Sequence, residues 1–207
     1  MRRIITILIA ILPLLPLGAA KKDTNSAEAR QVFDKVYGMV FGPQGCSLHY
    51  DVNIMSLYKT SGTIWYKGKK QRFTDERVDT WNDGVTAYMV YRKKKTIEIH
   101  SADSDKKDKY SGKFKFDVDD FDYSMKHQDN CLLLTLKQRK GAKGTVKEAR
   151  ITLEENTLYP THIKVKVAFI WANIHISKFR PGNISDDMFV FPRSRYGKGY
   201  KYVDKRK

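Results

Sequence analysis

The side chains best suited to chemistry in this sequence are five histidines (His49, His100, His127, His162 and His175), two cysteines and a group of aspartates at 117, 119, 120 and 122. Zinc takes Cys, His or carboxylate ligands at short, characteristic spacings, and these histidines lie scattered without them. The aspartates lack the order of ligands and glycine that an EF-hand loop needs, so they read as the charged face of an edge strand. Gly141-Ala142-Lys143-Gly144 follows no strand-to-helix pattern and reads as a hairpin tip, not a phosphate cradle. Ser and Cys nucleophile signatures are missing too. The reading is therefore no catalytic residue, no metal and no cofactor. An enzyme is not expected, and function has to come from the surface that the fold builds.

The 207 residues suit one domain with a sizeable core. Residues 1–20 read as a signal peptide: Arg2 and Arg3 form a positive start, an apolar run broken by Pro13 and Pro16 follows, and Gly18-Ala19-Ala20 supplies a small-x-small end. The run is shorter than the ~20 apolar residues of a membrane-spanning helix. A single domain over residues 21–207 is expected to follow, exported to the periplasm. The formal net charge is +16, and the chain stays strongly basic without Arg2 and Arg3. In an exported protein such a charge points to anionic headgroups or acidic envelope surfaces, not to nucleic acid. Cys46 and Cys131 are far apart in sequence, and export leaves open either a disulfide or two small buried thiols.

The elements that must build the surface are mostly strands. Residues 25–41 give the one strong helical signal: Asn25 can cap, Glu28 stands three residues on, and Ala29, Val32, Phe33, Val36, Tyr37, Val40 and Phe41 recur at steps of three and four. Gly42-Pro43 stops it. Residues 47–57 alternate as a strand, and residues 61–99 read as an antiparallel meander with a hairpin at Asp83-Gly84. Residues 113–125, 131–137, 147–153 and 161–171 add further strands. In the last of these Ile163, Val165, Val167, Phe169 and Trp171 are expected to share one face, before a bend at Ala172-Asn173. Residues 188–192 read as a final strand, followed by a basic aromatic tail. The fold class expected is mainly β (α+β), an incomplete antiparallel barrel of about ten to eleven strands closed by the N-terminal amphipathic helix.

Strand aromatics can fill a core or line a ligand cavity, and patterning alone favours the core. A resemblance shifts that balance. G-T-I-W-Y-K at 62–67, W-N-D-G-V-T-A-Y-M-V-Y at 81–91, K-T-I-E-I at 95–99 and M-F-V-F-P at 188–192 stand in the order of similar motifs in the periplasmic outer-membrane lipoprotein carrier family, LolA. Together with the leader and the single leading helix, the resemblance covers most of residues 26–204.

The resemblance implies an incomplete barrel lidded by helices and a carrier that shields lipoprotein acyl chains, or another lipid, on the way to the outer membrane. It also implies an inner-membrane release complex and an outer-membrane acceptor as partners, with a monomeric carrier between them. Two departures stand out. Where the family has K-R-P, whose arginine helps to latch the lid, this chain has Lys67, Gly68 and Lys69, with Arg72 out of register. The region between residues 100 and 113, where the family places its central lid helices, is short and highly charged. The candidate cavity residues are Val32, Phe33, Val36 and Val40 on the helix, with Trp65, Tyr88, Val165, Val167, Phe169 and Trp171 on the sheet. A register error of one residue would reverse the strand set. The basic tail and the turn at residues 92–95 are candidates for headgroup or protein contact. The competing expectation is a cargo-free envelope module that uses its basic surface to contact acidic lipid, glycan or a protein partner.

Overall fold

The computed structural model describes residues 17–55, 58–104 and 117–206. A helix, α1 (Leu17–Phe41), precedes twelve strands: β1 (Cys46–Ile54), β2 (Tyr58–Lys67), β3 (Lys70–Asp75), β4 (Val78–Asn82), β5 (Thr86–Tyr91), β6 (Thr96–Ser101), β7 (Phe121–Gln128), β8 (Cys131–Gln138), β9 (Val146–Glu154), β10 (Pro160–Val167), β11 (Ile170–Pro181) and β12 (Lys201–Asp204). They form one sheet in the order β12-β6-β5-β4-β3-β2-β1-β11-β10-β9-β8-β7. Every pairing is antiparallel except that of β12 with β6. The two ends, β12 and β7, are not paired with each other, so the barrel is incomplete, as the sequence led one to expect.

Local sequence explains the meander. Asp83 accepts hydrogen bonds from the backbone of Val85 and Thr86 (both 2.8 Å), and Gly84 takes φ +96°, which closes the β4–β5 turn. Between β3 and β4 the chain turns at Glu76-Arg77, where the Asp75 carboxylate accepts from the backbone N–H of Arg77 (2.6 Å) and Val78 (2.8 Å). The stretch from Lys70 to Asn82 is therefore two strands. Gly62 stands opposite Tyr50. A Cβ there would lie 2.6 Å from the Tyr50 hydroxyl, so glycine lets that ring lie across the strand and stack with Phe73, centroids 5.8 Å apart.

Three apolar clusters hold the sheet. One joins Ala29, Phe33 and Val36 of α1 to Phe121, Tyr123, Leu134, Leu136, Ile151 and Leu153 on β7–β9. A second gathers Cys46, Leu48, Tyr50, Ile64 and Ile176 on the same side. The third, Trp81, Val90, Ile97, Phe191 and Tyr196, lies on the opposite face. There the segment after β11 is a strap, with 3-10 turns at Asp186–Phe189 and Arg193–Tyr196. Residues 188–192 are thus not a strand. Phe191 belongs to the third cluster, Phe189 is buried, and the last strand is β12.

Two further expectations are corrected. Asn25 is not a cap, because α1 already runs from Leu17. Its carboxamide instead meets β7. Cys46 and Cys131 are both free thiols. They sit on β1 and β8, which β11, β10 and β9 separate, so about four strand spacings of ~4.8 Å put them far beyond the ~7 Å limit for a bridge. Most of the expected leader, and the stretch where central lid helices would fall, lie outside the described residues.

A candidate apolar trough under the helix

Register decides which side chains face α1. Cys46, Leu48 and Tyr50 alternate toward the helix side, and their partners across the ladder are Tyr66, Ile64 and Gly62. The same parity carries through Ile176 and Ile174 on β11 to Ile163 and Val165 on β10. From Asn25 at β7 to Phe41 at β2, the helix spans about 24 Å at 1.5 Å per residue. The seven strands beneath it, β7 to β2, cover about 29 Å at ~4.8 Å per spacing. The helix thus lies as a chord across the incomplete barrel.

Coverage along that arc is uneven. At one end Ala29, Phe33 and Val36 are buried against β7–β9. At the other end Phe41 packs edge-on to Tyr66, centroids 4.8 Å apart. Tyr123, Phe33, Tyr37, Phe41 and Tyr66 follow one another at 4.8–5.8 Å and tie β7 to β2 along the helix. Between these ends the floor is only half-buried: Val52 on β1, Ile174 on β11, and Ile163, Val165 and Val167 on β10. Tyr37 and Phe41 are themselves 45% and 38% exposed. The arrangement is an aliphatic trough with an aromatic rail, suited to a flexible hydrocarbon and offering it little to hydrogen-bond.

Of the candidate residues, Val32, Phe33, Val36 and Val40 face the sheet from α1, and Val165 and Val167 belong to the floor. The other four do not join them. Trp65 pairs with Ser47 and Arg72, one position out of the inward register, and lines a pocket of about 280 Å³ on the outer face with His49, Thr63, Lys178 and Arg180. Tyr88 lies beside Trp81 on that same outer face and stacks on Phe191, centroids 4.3 Å apart and 6° from parallel. Trp171 pairs with Lys166 and lies under the guanidinium of Arg150, 5.0 Å from its ring. Phe169 is 84% exposed at a hairpin tip.

The reason for the last two is one turn. Val167 pairs with Ile170, so Ala168 and Phe169 reverse the chain, and the alternation read through them resumes on the other face. Tyr66, Ile163 and Ile174 are inward residues absent from the candidate cavity set, although Ile163 was expected on the face of Val165 and Val167. For Tyr66 the usable signal was its place beside Trp65, had the β1–β2 register been known.

The outer face carries its own order. Trp65, Arg72, Trp81 and Tyr88 are direct neighbours across β2–β5, and the Arg72 guanidinium lies 4.8 Å from the Trp65 ring and 5.0 Å from the Trp81 ring. Burial holds the Arg72 pKa below its ordinary value, although Asp79 opposes the shift. This face is closed by the strap and offers no second trough at Trp81. Among the described residues no group of three or more His, Cys, Asp or Glu side chains could hold a metal ion.

No protein-family model and no curated protein matches the sequence. Solved structures do match its fold. An uncharacterized conserved protein of Thermus thermophilus superposes with a TM-score of 0.57 at 9% identity, over 86% of this chain and 99% of that one. MucB superposes with a TM-score of 0.50 at 10% identity, over 80% of this chain and 63% of MucB. A LolA superfamily protein from Nitrosomonas europaea matches more loosely, with a TM-score of 0.41 at 8% identity over 80% of this chain and 98% of that one. At such identities the likeness is one of fold alone.

Proposed function

We propose that this chain is a non-enzymatic carrier that holds the acyl chain of a lipoprotein, or another lipid, in the trough beneath α1 while it crosses an aqueous envelope compartment. The observation that carries this reading is the half-buried floor of Val52, Ile163, Val165, Val167 and Ile174 under a helix that spans it as a chord. Each methylene withdrawn from water there is worth ~0.8 kcal/mol, so a chain of a dozen carbons is retained without any polar contact. Release needs only that α1 lift from β1 and β2, while its buried end stays on β7–β9. Residues 1–20 would export the chain to the periplasm, and membrane-bound partners would load and unload it.

Native mass spectrometry of the purified protein tests the reading, together with titration by a fluorescent fatty acid. A bound mass of lipid size is expected, along with probe binding that Val165→Asp weakens at least tenfold while circular dichroism stays unchanged. Protein free of lipid that also fails to bind the probe would overturn the carrier and leave a cargo-free envelope module.

A further inference from the structure

Strand direction sorts the turns of the sheet into two rims. The β1–β2, β3–β4, β5–β6, β8–β9 and β10–β11 connections lie at one end, and the β2–β3, β4–β5, β7–β8 and β9–β10 connections at the other. The first rim carries two exposed apolar side chains near its middle, Met55 (60% exposed) and Phe169 (84% exposed). Their turns are about 10 Å apart, because β1 pairs with β11. Exposed lysines flank them on both sides: Lys93, Lys94 and Lys95 after β5, and Lys140 and Lys143 after β8. Glu76, Asp117, Asp119 and Asp120 share this rim, and Asp119 is bound to Arg30 at 2.9 Å. The opposite rim carries Asp83, Asp129 and Glu155 in its turns, with Lys69 and one exposed valine, Val85.

Turn chemistry does not explain Phe169. Two-residue hairpins favour Asn-Gly or Asp-Gly, whereas Ala168 takes φ +54° without glycine's freedom and the residue beside it puts a phenyl ring into water. Val167 and Ile170 flank the tip and lead into the trough floor. An apolar centre between two groups of lysines fits an anionic bilayer: the phenyl ring and the thioether enter the interface while the ammonium groups meet the headgroups.

We infer that this rim docks the protein on an anionic lipid bilayer, with Phe169 and Met55 inserted and Lys93, Lys94, Lys95, Lys140 and Lys143 on the headgroups. The inference deepens the carrier reading by naming the end of the trough at which cargo enters and leaves, but the docking itself needs no cargo.

Co-sedimentation with vesicles tests it, using the protein as its expression host processes it. Binding is expected to phosphatidylcholine vesicles containing 30 mol% phosphatidylglycerol, to weaken in high salt, and to be far weaker on phosphatidylcholine alone. Lys140→Glu with Lys143→Glu should lower the partition coefficient at least twentyfold, at about fivefold per lost charge. Phe169→Ser with Met55→Ser should lower it at least tenfold. Lys69→Glu with Lys126→Glu, at the opposite rim and with the same charge change, should leave it within twofold. Equal losses from the two charge variants, or no preference for anionic vesicles, would overturn the docking rim. Binding to a soluble polyanion such as heparin that Phe169→Ser leaves intact, without vesicle binding, would overturn it in favour of a glycan. Fatty-acid binding that survives the rim substitutions would leave the carrier reading standing whichever way the vesicle test falls.

Discussion

The carboxamide of Asn25 pairs with both backbone polar groups of Met125: its nitrogen donates to the carbonyl at 3.2 Å, and its oxygen accepts from the N–H at 3.1 Å. Met125 lies on β7, the end of the sheet among the described residues, so a helix side chain completes a strand edge that has no neighbouring strand there. Unpaired edges invite pairing with other chains, and this contact covers one of them. Asn25→Ala is expected to lower stability by about 1–2 kcal/mol, two hydrogen bonds at their usual net worth, as read by urea unfolding. It should also raise concentration-dependent association in light scattering. A variant as stable and as monomeric as the parent would show that the pairing does neither.

Asp75 links folding to pH. Burial alone would raise its carboxyl, but hydrogen bonds from the Arg77 guanidinium and from the backbone of Val78 and Arg77 outweigh it and hold the group below its ordinary value. A carboxylate depressed in the folded state adds stability above the unfolded value of about 3.9, and that contribution fades as pH falls through the folded value. Asp75→Asn should therefore cost about 1.5–3 kcal/mol at neutral pH. The gap between variant and parent should narrow below about pH 4. Equal gaps in urea midpoint at pH 7 and pH 3 would show that the charge is not what Asp75 contributes.

The strap across the outer face is held by rings. Phe191 stacks between Tyr88 (4.3 Å) and Tyr196 (5.5 Å), and Trp81 meets it edge-on at 5.6 Å. Phe191→Ala removes the middle of that stack and should cost about 3–5 kcal/mol, the range for aromatic truncation in a core. Trp81, 3% exposed in the parent, should then emit at longer wavelength, and trypsin should cut at Arg193 and Arg195 before it cuts elsewhere. Unchanged emission would mean that Phe191 does not hold the strap down.

These contacts also mark how far the sequence could be read. The helix and the meander were legible because their periods are carried by many residues: Ala29, Phe33 and Val36 at helical spacing, and Leu48, Tyr50 and Val52 at strand spacing. The inward set was not, because it depends on pairing. Trp65 and Tyr66 alternate equally well, and only the partnership of Cys46 with Tyr66 turns the tryptophan outward. At Ala168-Phe169 no glycine or asparagine announces the reversal, so two strands read as one and Trp171 was assigned to the wrong face. The strap was missed for another reason. Met188, Phe189, Val190 and Phe191 have strand propensity, but Met188 and Phe189 close a 3-10 turn, and Val190 and Phe191 run on outside any strand, with Phe191 packed on Trp81 and Tyr88.

The two thiols offer a readout of how tightly the sheet is held beside the trough. Cys46 is fully buried on β1, and burial pushes its pKa up to about 12, while a backbone hydrogen bond from Tyr66 opposes the shift only in part. Cys131 stands half-buried at the start of β8, its thiol donating to the Gln128 carbonyl at 2.8 Å. Only a thiolate that meets the reagent is alkylated. Iodoacetamide on the native protein should therefore give one adduct by intact mass, mapped to Cys131, and two adducts after unfolding. The same masses should appear without reductant, because the two residues cannot bridge. Cys46 can react only when β2 or β11 parts from β1, so its rate measures the opening of the strands that form the trough floor beside Val52 and Ile174. If a bound fatty acid stabilises that floor, it should slow Cys46 labelling and leave Cys131 unchanged. A Cys46 that labels as fast as Cys131 would show that the centre of the sheet opens too readily to retain a hydrocarbon chain.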